Sequence, residues 1–286
     1  MKIISIGEII FDVYGDEAEI GGAPLNFCAH CAACGAESAL VSAVGNDDYA
    51  SKALGYLSEF GVDTRFVSSN SLSTGKCLVT INNGKPSYNV LRPVAYDAID
   101  VEPLIDSIKS YGADVFAFGT LIQREEASRN SLLKILDDCS FEHVFCDINL
   151  RKDCYDRESC LNCFENADII KLSDEEEPLL FDYGFYAYDE CEKVRIRNIC
   201  AAFPNINIVI YTKGENGSLV YSKADDTFYE FPSIKTQVVS TVGAGDSYSA
   251  AFLCEYLKSC DIDKAGKAGA ELSAFVVAHR EAVVKK

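Results

Sequence analysis

Short apolar runs with strand character alternate with helix-like segments along almost the whole chain. Runs rich in β-branched and aromatic residues favour strands, whereas apolar residues three and four positions apart favour helices. The predicted strands cover residues 2–6, 39–44, 114–118, 144–148, 168–172, 207–211 and 218–221. The predicted helices cover residues 24–34, 48–60, 103–111, 126–138, 157–165, 190–203, 244–259 and 263–278. This order predicts an α/β fold, a three-layer sandwich in which helices cover both faces of a mainly parallel sheet. Ligands of such sheets bind beyond the carboxyl ends of the strands.

One segment, residues 75–91, departs from this rhythm and alternates apolar with polar residues. Two alternating runs flank Asn82-Asn83-Gly84-Lys85-Pro86, which is a hairpin turn signal. We interpret the segment as an antiparallel flap added to the main sheet. Because the chain contains no repeat, low-complexity tract or Pro/Ser-rich linker, we expect a single domain over residues 1–286.

The charge balance argues against several classes of partner. Asp and Glu total 44 against 26 Lys and Arg, which gives a formal net charge of -18. Such a field repels phosphate backbones and anionic lipid, so we expect neither nucleic acid nor a membrane surface as a partner. No apolar run reaches the roughly 18 residues of a membrane span, and Glu8 and Asp12 interrupt the N-terminal apolar stretch. We therefore expect a cytoplasmic protein.

The thirteen cysteines are predicted to be reduced thiols, because they are scattered through apolar segments where Cys behaves as a small hydrophobic residue. Cys28, Cys31 and Cys34 have the spacing that begins a bacterial iron–sulfur motif, but Ser38 stands where a fourth ligand would be needed. A spacing of three on a helix of small residues instead predicts one packed face.

The segment Ser240-Thr241-Val242-Gly243-Ala244-Gly245-Asp246-Ser247 carries the strongest functional signal. Its small residues leave backbone N–H groups uncovered at the start of a predicted helix, which is typical of an anion site. Two roles are open for Asp246: a helix cap, or a general base that accepts a proton from an attacking hydroxyl. The spacing fits neither a Walker loop nor a dinucleotide-binding fingerprint.

A second glycine-rich element, Gly21–Asn26, precedes the first predicted helix. With Gly45-Asn46-Asp47 and with Thr241–Asp246, it resembles the signature regions of the ribokinase-like (PfkB-type) carbohydrate kinases. Asp147-Ile148-Asn149-Leu150-Arg151 resembles the Asp-x-Asn-x-Arg segment of the fructokinase-like branch. The segments 91–97 and Phe118-Gly119-Thr120 also resemble those of the family. The segments 171–176 and 212–217 follow in the family's order.

The resemblance implies a ribokinase-like fold with a small lid formed by residues of about 12–22 and 75–95. It implies that Asp246 is the catalytic base, that the amides of Gly243, Ala244 and Gly245 form the anion hole, and that Arg151 lies near the transferred phosphoryl group. The sugar would be bound by Asp12, Gly22, Asn26, Arg92, Asn149 and Asp246.

The resemblance also implies which residues bind ATP and Mg²⁺. ATP would be bound by Lys171, Thr212, Gly214, Thr241, Gly243 and Gly245. Glu176 would act with Mg²⁺, although Ser173 replaces the Asn usual in that segment. Many members have Asp where Ser240 stands and Gly where Glu281 stands, so we expect K⁺ to stimulate little.

The function implied is an ATP-dependent sugar kinase that acts on a hydroxyl of fructose or a related hexose or keto sugar. Its partners would be the sugar and ATP, and a homodimer through the lid is compatible with the resemblance. A nucleoside kinase of the same family is the nearest alternative, although the flap offers polar Ser87, Asn89 and Arg92. A non-catalytic sugar-binding regulator is the alternative of another class, but a binder has no need of Asp246.

Overall fold

The structure is a computed structural model that describes residues 1–82 and 85–285. The strands are β1 (Lys2–Ile6), β2 (Ile10–Tyr14), β3 (Glu17–Gly21), β4 (Glu37–Val44), β5 (Val62–Asp63), β6 (Val67–Ser69), β7 (Gly75–Asn82), β8 (Lys85–Val90), β9 (Val115–Gly119), β10 (His143–Asp147), β11 (Ile169–Ser173), β12 (Ile208–Thr212), β13 (Ser218–Ser222) and β14 (Thr227–Phe231). The α-helices are α1 (Ala23–Ala33), α2 (Asp48–Glu59), α3 (Ile105–Tyr111), α4 (Glu126–Asp138), α5 (Arg157–Asn166), α6 (Glu177–Phe181), α7 (Glu192–Ala202), α8 (Ala244–Ser259) and α9 (Ile262–Val276).

Ten strands form the main sheet, in the order β14-β13-β12-β11-β10-β9-β1-β4-β5, with β6 also paired to β4. All its pairings are parallel except those that join β12, β13 and β14. The predicted α/β class with a mainly parallel sheet is confirmed. Because β9 to β12 run the same way as β1, their carboxyl ends meet at one edge of the sheet, where a ligand site is expected.

Helices bury apolar residues against both faces of this sheet. Leu132 of α4, Phe164 of α5 and Ile199 of α7 belong to one core cluster. Phe27 of α1 and Phe252 of α8 belong to the other. Burying one such side chain fully contributes about 1.5–3 kcal/mol, so the two cores fix the helices whose N-termini reach the ligand edge. Within the described residues, no helix is both long and apolar enough to span a membrane.

A separate four-stranded sheet, called the small sheet below, has the order β3-β2-β7-β8. The hairpin predicted over residues 75–91 is present as β7 and β8, although its turn at Asn83-Gly84 lies outside the described residues. The expectation that this flap is added to the main sheet is wrong. The chain leaves the main sheet after β1, and β2 pairs in parallel with β7 and antiparallel with β3, which completes a sheet of its own.

The base of the small sheet is fixed by a buried ion pair. Arg124 Nε and Asp97 Oδ1 lie 2.7 Å apart, and their side chains are 1% and 3% exposed. Arg124 Nη2 also donates to Asp97 Oδ2 at 2.7 Å and to the carbonyl of Leu91, the residue after β8, at 2.8 Å. The guanidinium therefore ties the end of the hairpin to the segment that follows β9.

Candidate active site

Asp246 lies in the first turn of α8, directly after the glycine turn. Gly243 is the N-cap and has a left-handed backbone with φ of 79°. A Cβ at Gly243 would lie 2.4 Å from the carbonyl oxygen of Ala282, so a side chain does not fit there. No side chain caps this helix, so its N-terminal dipole is open to an anion. The amide of Ala244 already donates to the carbonyl of Thr241 at 3.3 Å and would have to share that hydrogen with an anion.

The carboxylate of Asp246 is held by a residue from the other end of the chain. Asn26 Nδ2 of α1 donates to Asp246 Oδ2 at 2.8 Å. Burial raises the pKa of Asp246 to about 6, with the Asn26 hydrogen bond and the charges of Lys171 and Arg151 working against the rise. This geometry favours the base over the cap, because the carboxylate faces Asn26, while Gly243 occupies the cap position.

A buried cation lies beneath the glycine turn. Lys171 of β11 is 7% exposed, and its Nζ lies 2.6 Å from Oδ2 of Asp147, its register partner on β10. Burial alone would lower the pKa of Lys171, but the neighbouring Asp147 outweighs burial and raises it, so the ammonium stays charged. A Cβ at Gly245 would lie 3.2 Å from Lys171 Nζ. The turn and the ammonium are thus placed to act on the same anion.

Asn149 and Arg151 follow β10 at the ligand edge. Asn149 has a left-handed backbone with φ of 42°. Both carboxylate oxygens of Glu176 hold this region: Oε1 accepts from the amide of Leu150 at 2.7 Å and Oε2 from the amide of Ser173 at 2.8 Å. Arg151 is exposed, and its positive charge opposes the rise in pKa that burial causes at Asp246, Glu8 and Asp12. The guanidinium therefore acts electrostatically on all three carboxylates.

Asp12 and Gly22 lie where the small sheet meets α1. Burial raises the pKa of Asp12 on β2, while a hydrogen bond with the Cys77 side chain and the charge of Arg151 oppose the rise. Gly22 is the N-cap of α1, with φ of 119°, and a Cβ there would lie 2.5 Å from the carbonyl oxygen of Glu8. Only glycine fits this close approach.

Arg92 is the one predicted sugar ligand that the structure does not bring to these residues. Its side chain is 52% exposed, and its ion pair, at 3.9 Å, is with Glu125. The remaining residues predicted to bind the nucleotide lie at the same sheet edge and are partly or fully exposed to solvent. Thr212 ends β12, Gly214 has φ of 51° with open space around it, and Thr241 is exposed.

Sequence reasoning missed Glu8, which is 5% exposed in the link between β1 and β2. Its Oε1 accepts from the amide of Ala23, the first residue of α1, at 3.0 Å. Burial raises the pKa of Glu8 to about 7, the Arg151 charge opposes the rise, and the Asp246 charge adds to it. The available signal was an acidic residue inside an apolar stretch, since charged residues are rarely buried without a partner.

A cavity at the carboxyl ends of β1, β9 and β10 joins these groups. Its polar wall is formed by Glu8, Asp147, Asn149 and Asp246, and its apolar wall includes Phe27, Phe118 and Phe145. Two buried oxygens beside it, Asn26 Oδ1 and Asp147 Oδ1, have no hydrogen-bond partner among the described residues. Buried polar atoms without partners are costly, so these oxygens are suited to accept from a polar ligand.

The described residues contain no cluster of three or more His, Cys, Asp or Glu that could hold a metal ion by itself. Mg²⁺ usually needs only one or two carboxylates together with substrate phosphates. Asp147 and Glu176 lie on the ligand edge, and the unpartnered Oδ1 of Asp147 fits that requirement. None of the thirteen cysteines forms a disulfide, and Cys28 and Cys31 are buried in the face that α1 packs inward.

Residues 2–285 match the pfkB family carbohydrate kinase model. A putative sugar kinase from Pyrococcus horikoshii is 28% identical over 93% of this chain and 86% of that protein. Probable fructokinase-2 of Arabidopsis thaliana is 26% identical over 88% of this chain and 80% of that protein.

Two crystal structures show the same fold. That of the P. horikoshii protein in complex with ATP has a TM-score of 0.83 and 27% identity, covering 98% of this chain and 93% of that one. That of a fructokinase with bound ATP from Xylella fastidiosa has a TM-score of 0.85 at 20% identity, covering 98% of this chain and 93% of that one.

Proposed function

Because the chain belongs to the pfkB family of carbohydrate kinases, we propose that it transfers the γ-phosphate of ATP to a hydroxyl of fructose or a related hexose or keto sugar. One observation carries the proposal. A half-buried carboxylate with a raised pKa, Asp246, stands at an uncapped helix N-terminus with the Lys171 ammonium beneath the same turn. A base beside an anion-binding turn is what an attacking hydroxyl and a phosphoryl group require together.

In this reaction the sugar hydroxyl gives its proton to the carboxylate of Asp246 as its oxygen bonds to the γ-phosphorus. The bond from that phosphorus to the bridging oxygen breaks, and ADP leaves. The amides of Gly243, Ala244 and Gly245 and the charges of Lys171 and Arg151 offset the negative charge that develops. General-base help contributes roughly 10² to 10⁴ in rate, so positioning and electrostatics supply the remainder.

The sugar would lie between the start of α1 and the small sheet, next to the cavity whose wall includes Asn149 and Asp246. Asp12, Gly22, Asn26 and Asn149 would bind its hydroxyls, and the unpartnered Asn26 Oδ1 would accept from one of them. The position of Arg92 beside Glu125 argues for a weaker role than the other four have.

The nucleotide would lie along Thr212, Gly214 and Thr241. The neighbouring segment exposes large apolar side chains, Ile234, Val238 and Val239, at 47%, 60% and 57%, which suit an adenine face. Mg²⁺ would arrive with ATP and neutralise its phosphates, with Glu176 and Asp147 as the carboxylates within reach of it.

The small sheet would serve as the lid. It exposes Tyr14, Leu78 and Tyr88 at 39%, 38% and 60%, and an apolar lid surface supports a homodimer formed through it. Sedimentation equilibrium of the wild-type protein and of Tyr88→Ser would test this assembly. A chain with thirteen cysteines and no disulfide among them favours a reducing compartment such as the cytoplasm.

The deciding experiment is an ADP-release assay with a panel of sugars and nucleosides. Fructose is expected to exceed adenosine, ribose and uridine in kcat/KM by at least about tenfold, or about 1.4 kcal/mol. A nucleoside as the best substrate would favour the nucleoside kinase and leave the phosphoryl-transfer chemistry intact. Sugar binding without any turnover would favour the non-catalytic regulator.

A further inference from the structure

We propose that Glu8 is a positioning residue, whose carboxylate holds the first turn of α1 in the place from which Asn26 orients Asp246. The inference rests on the proposed function, because it assigns Glu8 to the same site. In this role Glu8 transfers no proton in the reaction. It acts through two hydrogen bonds, from the Ala23 amide to Glu8 and from Asn26 to Asp246.

The start of α1 lacks the cap that a helix normally has. The four amides of a first turn have no partner within the helix, and a Ser, Thr, Asp or Asn at the N-cap usually accepts from one of them. Here the N-cap is Gly22, and no side chain at that position forms such a bond. A Cβ would clash with the Glu8 carbonyl at 2.5 Å, so a capping side chain does not fit.

Glu8 supplies the missing acceptor from fifteen residues away. Its Oε1 accepts from the amide of Ala23 at 3.0 Å. Gly7 presses on the same turn, because a Cβ there would lie 2.4 Å from Cγ of Pro24. A carboxylate at a helix N-terminus also interacts favourably with the helix dipole. The link between β1 and β2 is therefore locked to α1 by both contact and charge.

That turn carries the group that orients the base. The amide of Asn26 donates to the carbonyl of Gly22 at 2.9 Å and so closes the turn that Glu8 caps. The side chain of Asn26 then donates to Asp246 at 2.8 Å. A shift of the turn moves the Asn26 amide away from the carboxylate. Because this hydrogen bond lowers the pKa of Asp246, its loss raises that pKa.

Two neutral variants of similar size separate the hydrogen bond from the charge. Glu8→Gln keeps an oxygen that accepts from Ala23, and Glu8→Leu does not. Both remove the negative charge that acts on Arg151, Asp246 and Tyr96, so charge effects cancel in the comparison. We expect kcat with the best sugar to be at least about thirtyfold lower in Glu8→Leu than in Glu8→Gln, with KM for ATP within about threefold.

The pH profile gives a readout that a purely structural role would not move. The acid limb of kcat should lie at higher pH in Glu8→Leu than in Glu8→Gln. The groups that face Asp246, namely Asn26, Asp147, Lys171 and Arg151, are unchanged in both variants. Glu165→Gln and Glu165→Leu, on an exposed part of α5, are the matched controls and should leave kcat within about twofold.

Hydrogen–deuterium exchange of the first turn of α1, without any substrate, tests the same contact independently of activity. Exchange at Ala23 should be faster in Glu8→Leu than in the wild type or Glu8→Gln. Equal exchange and equal kcat in the two Glu8 variants would overturn the inference. If the wild-type protein phosphorylated no sugar, the proposed function would be overturned. The exchange rate at Ala23 in the Glu8 variants would then still test whether Glu8 holds the first turn of α1.

A third variant covers the case in which Glu8→Leu does not fold. Glu8→Asp keeps the charge but is one methylene shorter, so its oxygen does not reach Ala23 without movement. We expect it to lower kcat and to speed exchange at Ala23, and wild-type values for both would contradict the inference.

Discussion

The proposed sugar end and the proposed nucleotide end of the site, called the sugar end and the nucleotide end below, differ in how their residues are held. At the sugar end, Asn26 bonds to Asp246, Glu8 bonds to Ala23, and Gly22 fits against the chain with no room for a side chain. At the nucleotide end, Gly214 has open space around it, and residues 232–239 are exposed. The two ends share one sheet edge, yet only one is packed.

This difference has an energetic meaning. Groups held in place before the substrate arrives lose little freedom when the transition state forms, which is how electrostatic preorganisation accelerates reactions. Exposed segments lose that freedom on binding, so part of the interaction energy with ATP is spent on ordering them. Substitutions at the sugar end should therefore act on kcat, and those at the nucleotide end on KM for ATP.

The largest expected effect is that of Asp246→Asn, at the centre of the packed end. The amide keeps the size of the carboxylate but does not accept the proton, so turnover should fall by roughly 10² to 10⁴ or beyond detection. Sugar affinity measured by calorimetry should stay within a few-fold. Turnover within about tenfold of wild type would mean that Asp246 is not the base.

Arg124→Ala should give the largest loss of stability. It leaves Asp97 buried and unpaired, which typically costs about 3–5 kcal/mol in the free energy of unfolding. The control is Arg197→Ala, which breaks an ion pair between α7 and Asp226 in the turn that joins β13 and β14. Since both of those side chains are exposed, at 44% and 66%, the urea midpoint should not change measurably. Equal losses in the two variants would contradict the contrast.

The same substitution at two glycines compares the ends directly. Gly243→Ala places a Cβ 2.4 Å from the Ala282 oxygen at a left-handed residue, so kcat should fall by about 10² as the anion-binding amides shift. Gly214→Ala meets open space and only the cost of its left-handed backbone, about 1–2 kcal/mol. Its effect should appear in KM for ATP. A larger fall in kcat for Gly214→Ala would reverse the assignment of the two ends.

The pH dependence of kcat should reflect the packed carboxylates. The base must be ionised, and burial raises the pKa of Asp246 to about 6, so kcat should fall about tenfold per pH unit below that value. Glu8, with a pKa near 7, titrates close by. Glu8→Gln removes that second group and should leave a single acid limb near pH 6. A limb near 4, the ordinary range for Asp, would show that Asp246 is not the group observed.

The smallest expected effect is that of K⁺. Ser240 stands where many family members have Asp, and its hydroxyl already accepts from the amide of Val242 at 3.2 Å. Initial rates with saturating Mg-ATP in K⁺, Na⁺ or a bulky organic cation at matched ionic strength should agree within about twofold. Tenfold activation specific to K⁺ would show that backbone carbonyls build a cation site without the Asp.

Local pattern predicted most of the elements, and the family resemblance supplied the candidate site residues, whose roles stay predictions. The resemblance is confirmed, and the predicted α1, α2 and α8 begin within a residue of the observed helices. Contacts between distant parts of the chain were not predictable. Asn26 and Asp246 are 220 residues apart, and no periodicity shows that their side chains touch. Strands β2 and β3 were missed because β2 continues the apolar run of β1, while β3 is largely polar.

The contact between Glu8 and α1 is a second case that local sequence pattern does not predict. An N-cap is recognised by a polar residue directly before a helix, but α1 takes its acceptor from a different strand connection. The parallel pairing of β2 with β7 likewise depends on where the chain leaves the main sheet, which the hairpin signal at 75–91 does not encode.

The carbonyl of Ala282 lies against the glycine turn and also accepts from the buried imidazole of His30, at 2.9 Å from Nε2. The backbone at Ala282 is thus wedged behind the glycine turn at the start of α8, while Lys285, three residues further on, donates to Glu59 at the end of α2 at 2.9 Å. This short segment therefore connects the glycine turn to the far end of α2. Because Ala282 fills the space beside Gly243, a substitution that displaces residues 282–285 should shift the glycine turn as well.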